Sequence, residues 1–372
     1  MLIQRDIQNQ ILSSLFKGKV IILYGPRQTG KTTLVKMILE KYPKRSLYLN
    51  CDEIDVRQAL TDQTSTELGS YLKGQEMVVI DEAQRVNNIG LTLKLIADNL
   101  PGVQVIATGS SSFELSDKVK EPLTGRKLEF HLYPFSFHEL TQIHPERELP
   151  RLLERRMIYG MYPEVVIKED KDILGQLADS YLYKDILAHQ NIKRHDVLLK
   201  LLQALALQVG SEVSYNELSV TVGIDKKTVE NYLNILEQAF VIFRLMPFSR
   251  NLRNELKKLR KVYFVDTGIR NALLNNFNQL SIRPDAGALF ENFMISERIK
   301  RNGNIGTRKN VYFWRTHQQK EIDYIEEEGG LCKAFEFKLT GKAYKPPKEF
   351  SEAYPGSDVR LVTRDNFMDF LS

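Results

Sequence analysis

The chain has 372 residues, 42% of them apolar and 27% charged, with a formal net charge of +5. It is too long for one ordinary core, so two or three domains are expected, and its mild basicity alone does not demonstrate nucleic-acid binding. No stretch approaches the roughly 20 apolar residues that span a membrane, so no membrane role is expected. Cys51 and Cys332 lie far apart without metal-ligand companions, which predicts a reduced compartment and no disulfide framework. The opening Met1-Leu2-Ile3-Gln4-Arg5-Asp6 carries an acid and amides where a signal peptide has a long apolar core. A cytoplasmic location is the expectation.

Ile7 to Phe16 reads as a short helix leading to an apolar strand, Val20 to Tyr24. The next residues are Gly25, Pro26, Arg27, Gln28, Thr29, Gly30, Lys31 and Thr32, spaced G-x-x-x-x-G-K-T, and Thr33 opens a helix-like segment. A strand, glycine-framed loop and helix in that order wrap a polyphosphate. Backbone N–H groups point inward and the helix N-terminus adds partial positive charge. Lys31 is placed to reach the terminal phosphates, and the Thr32 hydroxyl to hold Mg²⁺.

Ser46 to Asn50 reads as a second strand, and Met77 to Ile80 as a third, buried on both faces of a parallel sheet. Asp81 and Glu82 end that third strand, where α/β sheets bind ligands. Asp81 is expected to hold Mg²⁺, and Glu82 to orient or deprotonate an attacking water. Another strand, Val103 to Thr108, runs into Gly109-Ser110-Ser111-Ser112. Ser110 is the first choice for sensing the terminal phosphate or the water, with Thr108 as competitor. Arg126, after Thr124-Gly125, is the residue type that neutralises a phosphoryl group in flight. It has three readings: action in its own subunit, action across an interface, or a surface arginine after a turn.

The order GPRQTGKTTL, VVIDEAQ, TGSSS and TGRKLEFHLYPFSFHEL resembles the prokaryotic AAA+-type ATPases that carry a second, C-terminal region. The residues alone support an ATP- or GTP-binding α/β domain; the resemblance implies adenine. It also implies a sensor role for Ser110 and implicates Arg126.

From Pro150 to Leu187 the chain is charged and helical in pattern, broken at Tyr159-Gly160-Met161-Tyr162-Pro163. A helix from Val197 follows. Ser214 and Glu217 have the capping-box spacing, Gly223 closes that helix, and Asp225 caps the next, Lys226 to Gln238. On that helix Val229, Tyr232, Leu233 and Leu236 share one face. Strands at 240–245 and 261–266 flank a basic stretch. Three helices followed by two strands is the winged-helix order. In the DNA-binding version Lys226, Lys227 and Asn231 enter the major groove, and Arg250, Arg253, Lys257, Lys258, Arg260 and Lys261 add phosphate contacts. The same module also serves ATPases as a lid or a protein contact.

In the last third, Ala286 to Glu297 starts a helix with Leu289, Phe290, Phe293 and Met294 as its buried stripe and Glu291 beside it. Strands are expected at 311–315, 321–325 and 334–339, with Glu326 to Gly330 as a turn. Period-two alternation puts Glu336 and Lys338 on one face. Asp323 and Glu336 on adjoining strands, with Lys338, are suited to hold Mg²⁺ and stabilise charge on a scissile phosphate. Glu291, Asp323, Glu336 and Lys338 resemble the PD-(D/E)xK nuclease superfamily, with Ile322 where the name pattern has proline. The C-terminal region of the ATPase family above is similar to that fold. An ion-paired hairpin in a degenerate fold is the competing reading.

The expected fold class is α/β. A P-loop NTPase (AAA+-like) parallel-sheet domain spans 1–150, a helical connection 151–196, a winged-helix-like module 197–270, and a PD-(D/E)xK nuclease-like α/β domain 271–372. The expected cofactors are ATP and Mg²⁺. DNA or RNA and further copies of the chain are candidate partners.

Overall fold

The structure is a computed structural model. It describes residues 3–43, 45–109, 115, 118–168, 170–181, 194–248, 260–307, 309–316, 318–341 and 343–371. Five strands form the first sheet: β1 (Val20–Tyr24), β2 (Ser46–Asn50), β3 (Met77–Asp81), β4 (Gln104–Gly109) and β5 (Lys127–His131). Their order is β2-β3-β4-β1-β5 and every pairing is parallel. Parallel strands need crossovers, so helices cover both faces and the central strands are apolar throughout. β1, β3 and β4 are buried at every position. The helix Lys31–Leu39 turns Leu34, Val35 and Ile38 into a core with Ile21, Val79 and Ile106, while Ile22, Val78 and Ala107 face a second core on the other side.

Helices Leu149–Tyr159, Pro163–Lys168 and Lys171–Tyr181 lead away from this sheet. A further helix, His195–Leu207, precedes β6 (Glu212–Val213), the helices Tyr215–Val222 and Lys226–Gln238, and then β7 (Ile242–Pro247) and β8 (Arg260–Phe264). The caps work as expected. Ser214 accepts from the Glu217 amide at 3.4 Å and Asp225 from the Thr228 amide at 3.0 Å. Val229, Tyr232, Leu233 and Leu236 are the buried face of Lys226–Gln238.

The remaining strands are β9 (Asn310–Arg315), β10 (Glu321–Glu328), β11 (Leu331–Lys338) and β12 (Asp358–Thr363), with the helix Ala286–Asn304 packed beside them. The second sheet has seven strands in the order β12-β11-β10-β9-β7-β8-β6. Its pairings are mixed, and the parallel β7–β9 pair joins the middle of the chain to its end. One hydrophobic core continues from Phe135 through Leu201, Leu233 and Phe293 to Phe370.

One expectation fails here. Glu326, Glu327 and Glu328 belong to β10, and only Gly329–Gly330 turns the chain. Glu326 is buried because Arg298 (2.7 Å) and Lys309 (2.9 Å) neutralise it, which a reading of local polarity does not foresee. β10 also bulges. Ile322 faces Trp314 and Ile325 faces Tyr312, so Asp323 and Tyr324 oppose a single residue of β9. Ile322 and Ile325 therefore share a core with Trp314, while Tyr324 turns into the main core.

Candidate functional site

The parallel sheet brings the carboxyl ends of β1 and β3 to one edge. The loop Gly25 to Gly30 leaves β1 there and packs tightly. A Cβ on Gly25 would stand 2.2 Å from the Leu132 carbonyl oxygen, so only glycine fits. Thr29 is fully buried and its hydroxyl donates to the Pro26 oxygen at 2.8 Å. Lys31 is buried, and its Nζ donates to the oxygens of Gly25 and Pro26, both at 2.8 Å. Thr32 donates its hydroxyl to Asp81 Oδ2 at 2.7 Å.

Asp81 is the hub of this edge. Tyr48 donates to the same Oδ2 at 2.5 Å, and Thr108 donates to Oδ1. Burial and the Asp81 charge push the Tyr48 phenol well above its ordinary range, so it stays a donor. The Glu82 amide donates to Thr108 Oγ1 at 3.2 Å, and Gln84 donates to Glu82 Oε2 at 2.6 Å. A cleft of about 640 Å³ opens beside this network. Arg27, Gln28, Lys31, Thr32, Thr33 and Glu82 line it from the sheet, joined by Pro163, Glu164, Ile167 and Lys168 of the following helix.

Lys31, Thr32, Asp81 and Glu82 thus come together. Arg126 does not join them. Its carbonyl accepts from the Val20 amide at the start of β1, at the opposite edge of the sheet. That is roughly 16 Å from the loop for a five-residue strand. Its guanidinium pairs with Asp98 at 2.6 Å. Ser110 lies outside the described residues, as do Arg250, Arg253, Lys257 and Lys258. Thr108, the competitor to Ser110, is the hydroxyl seen on Asp81 and Glu82.

The C-terminal residues also assemble, around a group expected elsewhere. Lys261 is not a surface phosphate contact. It lies within β8, 1% exposed, and its Nζ reaches Glu291 Oε1 at 3.1 Å, pairs with Glu321, and stands 3.7 Å from Asp323 Oδ1. The reason is pairing. β8 lies between β7 and β6, which turns the Lys261 side chain into the carboxylates instead of leaving it on a solvated loop. Tyr263 also donates to Glu291. Asp323 Oδ2 accepts from the Phe337 amide at 2.9 Å. Glu336 Oε1 pairs with Lys338 at 2.7 Å, while its buried Oε2 has no hydrogen-bond partner among the described residues.

Burial and the Glu291 charge push the Asp323 carboxyl up to about 7. Burial and the Asp323 charge push Glu336 up to about 7 as well. Glu291 is raised by burial, against the pull of Lys261. The cluster is a set of crowded, half-desolvated carboxylates with a lysine ammonium in their midst. Among the described residues, no three His, Cys, Asp or Glu side chains form a metal-ligand set.

Residues 17–141 match the AAA domain family. Two domains of unknown function match the rest, DUF8612 over residues 150–280 and DUF4143 over residues 286–370. An uncharacterized protein of Methanocaldococcus jannaschii is 24% identical over 87% of this chain and 74% of its own length. One of Mycobacterium tuberculosis is 26% identical over 91% of this chain and 74% of its own, and one of Haemophilus influenzae 24% identical over 94% and 88%. A solved structure, the Walker-type ATPase of Pyrococcus abyssi, is similar with a TM-score of 0.52 and 18% identity, over 73% of this chain and 96% of that one. The likeness speaks to fold. The AAA domain match occupies the first third of the chain, and no described helix is long and apolar enough to cross a membrane.

Sequence reasoning missed several contributors. Tyr48 sits two residues before the end of a strand that pairs with β3, and that pairing alone brings it to Asp81. Glu321 precedes Asp323 by two positions and carried a legible acid. Arg5 gave no local signal, yet it donates to the Thr29 carbonyl in the phosphate loop at 2.6 Å.

Proposed function

We propose that the protein is a Mg²⁺-dependent ATPase whose nucleotide state controls its C-terminal region. The observation that carries this is the Thr32–Asp81 contact of 2.7 Å beneath a glycine loop that admits no side chain at Gly25. The residues fit a Mg²⁺–nucleotide. Thr32 and Asp81 would hold the ion, and Lys31 with the backbone of Gly25, Pro26, Arg27, Gln28, Thr29 and Gly30 would hold the phosphates. When bound, Mg²⁺ neutralises charge on the transferring phosphoryl group. Glu82, oriented by Gln84, would hold the attacking water. The Arg126 placement favours action on a neighbouring subunit over action on its own cleft.

We read 1–150, 151–196, 197–270 and 271–372 as the functional units. The helix and strand order of 197–270 supports a winged helix, with Lys226, Lys227 and Asn231 toward nucleic acid or a partner. Glu291, Asp323, Glu336 and Lys338 support a PD-(D/E)xK-like fold. Whether it cuts is a second question, and Lys261 favours a binding or switch role. The ammonium already supplies the positive charge that an acidic nuclease site takes from metal at Asp323 and Glu336.

The test is nucleotide binding and turnover by wild type, Lys31→Ala and Glu82→Gln. Lys31→Ala should lose binding, and Glu82→Gln should keep binding while turnover falls about 10²–10⁴-fold. Wild type without nucleotide affinity would sink the proposal. Adding DNA or RNA with Mg²⁺ separates the C-terminal readings. Cleavage abolished by Glu336→Ala supports a nuclease, and intact substrate with nucleotide-dependent assembly supports the switch.

A further inference from the structure

Each of the three nitrogens of Arg5 has its own acceptor, one in the phosphate loop and two in residues 133–139. Nη1 donates to the Thr29 carbonyl of the phosphate loop at 2.6 Å, Nη2 to the Tyr133 carbonyl at 2.7 Å, and Nε to Glu139 Oε1 at 3.0 Å. Its guanidinium lies 4.9 Å from the centre of the Phe135 ring. The Arg5 and Glu139 side chains are 7% and 0% exposed, so the pair is desolvated. Glu139 is held in turn by the amides of Asp6 and Ser136, both at 2.9 Å.

The same segment is fastened at its far side to the helix Ala286–Asn304. The Phe137 amide donates to Glu297 Oε2 at 2.5 Å, and Lys300 bridges Glu297 (2.6 Å) and the Phe135 carbonyl (3.2 Å). The Phe137 ring meets Phe293 edge-on at 6.2 Å. Phe293 lies two residues beyond Glu291, which contacts Lys261. A continuous set of buried charge-assisted bonds and ring contacts therefore runs from the phosphate loop to the helix Ala286–Asn304, which also carries Glu291.

We propose that Arg5 is the positioning residue that ties the phosphate loop to the C-terminal region. Through Glu139 and Glu297, it makes the helix bearing Glu291 respond to the nucleotide. The inference rests on the ATP reading above. Its physical basis is that a buried guanidinium with all its partners fixed cannot follow the Thr29 carbonyl alone. A shift of the loop must carry Arg5 and residues 133–139 with it, or leave buried donors unpaired. Lysine cannot replace it, since one ammonium cannot span three acceptors in that fixed fork.

The experiment uses the full chain in wild-type, Arg5→Lys, Arg5→Met and Glu297→Gln forms, each checked for a cooperative thermal transition. Nucleotide affinity, kcat and KM are measured, and amide hydrogen exchange is followed with and without a non-hydrolysable ATP analogue. In wild type, the analogue should slow exchange in residues 135–141 and in Ala286–Asn304. Arg5→Met and Arg5→Lys should both bind nucleotide about tenfold more weakly, ~1.4 kcal/mol. Glu297→Gln should keep wild-type affinity and lose the exchange response of Ala286–Asn304. Wild type that binds no nucleotide overturns the ATP reading and this inference together. Wild type that binds with no response in that helix overturns the inference alone. So does Arg5→Lys behaving as wild type, or a Glu297→Gln variant that responds fully.

Discussion

At the scale of single residues, Lys261 has the largest consequence for how this chain is read. A lysine on a winged, basic stretch is ordinarily a solvated cation, and here it is the counter-charge for Glu291, Glu321 and Asp323. Removing one member of such a set leaves the others desolvated and unpaired. Lys261→Met should lower stability by about 3 kcal/mol, the low end for buried ion pairs because Glu321 stays a quarter exposed. Urea unfolding measures it. Adding Glu291→Gln to Lys261→Met should recover part of the loss, and a double variant worse than the single would contradict the assignment. Glu291 and Asp323 were legible in the sequence as a pair of acids, but their pairing with Lys261 was not, because it depends on where β8 sits in the sheet. The Lys31, Thr32, Asp81 and Glu82 grouping follows from local order along a parallel sheet. Arg5 with Glu139 does not, because the two lie 134 residues apart and the capping-box spacing of Ser136 and Glu139 says nothing of Arg5.

Among the elements, apolar runs and caps told most of what they were asked. Val20–Tyr24 and Met77–Asp81 are strands because continuous apolar residues suit burial on both faces, and Lys226–Gln238 is a helix between Asp225 and Ala239. The β10 bulge and the burial of Glu326 escaped, since both arise from strand pairing and from Arg298 on a distant helix. The turn at Gly160 shows how such long-range contacts position function. Gly160 has φ +75°, and a Cβ there would stand 2.0 Å from Asp266 Oδ1. Asp266 caps the helix Thr267–Leu273 through the Gly268 amide at 2.9 Å and also takes the Met161 amide at 2.7 Å. Pro163, which lines the nucleotide cleft, follows at once. Gly160→Ala should therefore cost about 2 kcal/mol or more in urea unfolding, and should weaken nucleotide binding without touching a phosphate contact. Unchanged unfolding and unchanged affinity would contradict this account of the turn.

Over the whole molecule, two sets of carboxylates oppose one another in pH. Burial alone would raise Glu326, but hydrogen bonds from Arg298, Lys309 and Asn302 outweigh it and hold the carboxyl down to about 2. The Arg283 hydrogen bonds hold Asp285, likewise, at about 2. Their folded values lie below the unfolded ones, so their contribution is full above the ordinary carboxylate range and is lost as pH falls toward 2. Asp323 and Glu336 are raised to about 7, so theirs is full below the ordinary range and is lost as pH rises through 7. Stability should thus peak near the ordinary carboxylate pKa, about pH 4, where the rising limb ends and the falling one begins. Urea midpoints across the pH range test this. Glu326→Gln should flatten the acid limb and Asp323→Asn the alkaline one.

One further consequence follows from an ammonium that is part of the backbone's own cargo. A dissolved cation at these carboxylates would follow its concentration in the surroundings, and a chelator would strip it. The Lys261 charge cannot be dialysed away or exchanged. It is held in place by β8, which is paired to β7 on one side and β6 on the other before running into Asp266. The positive charge at the carboxylates of the C-terminal region is thereby fixed by the fold and not by the composition of the solution.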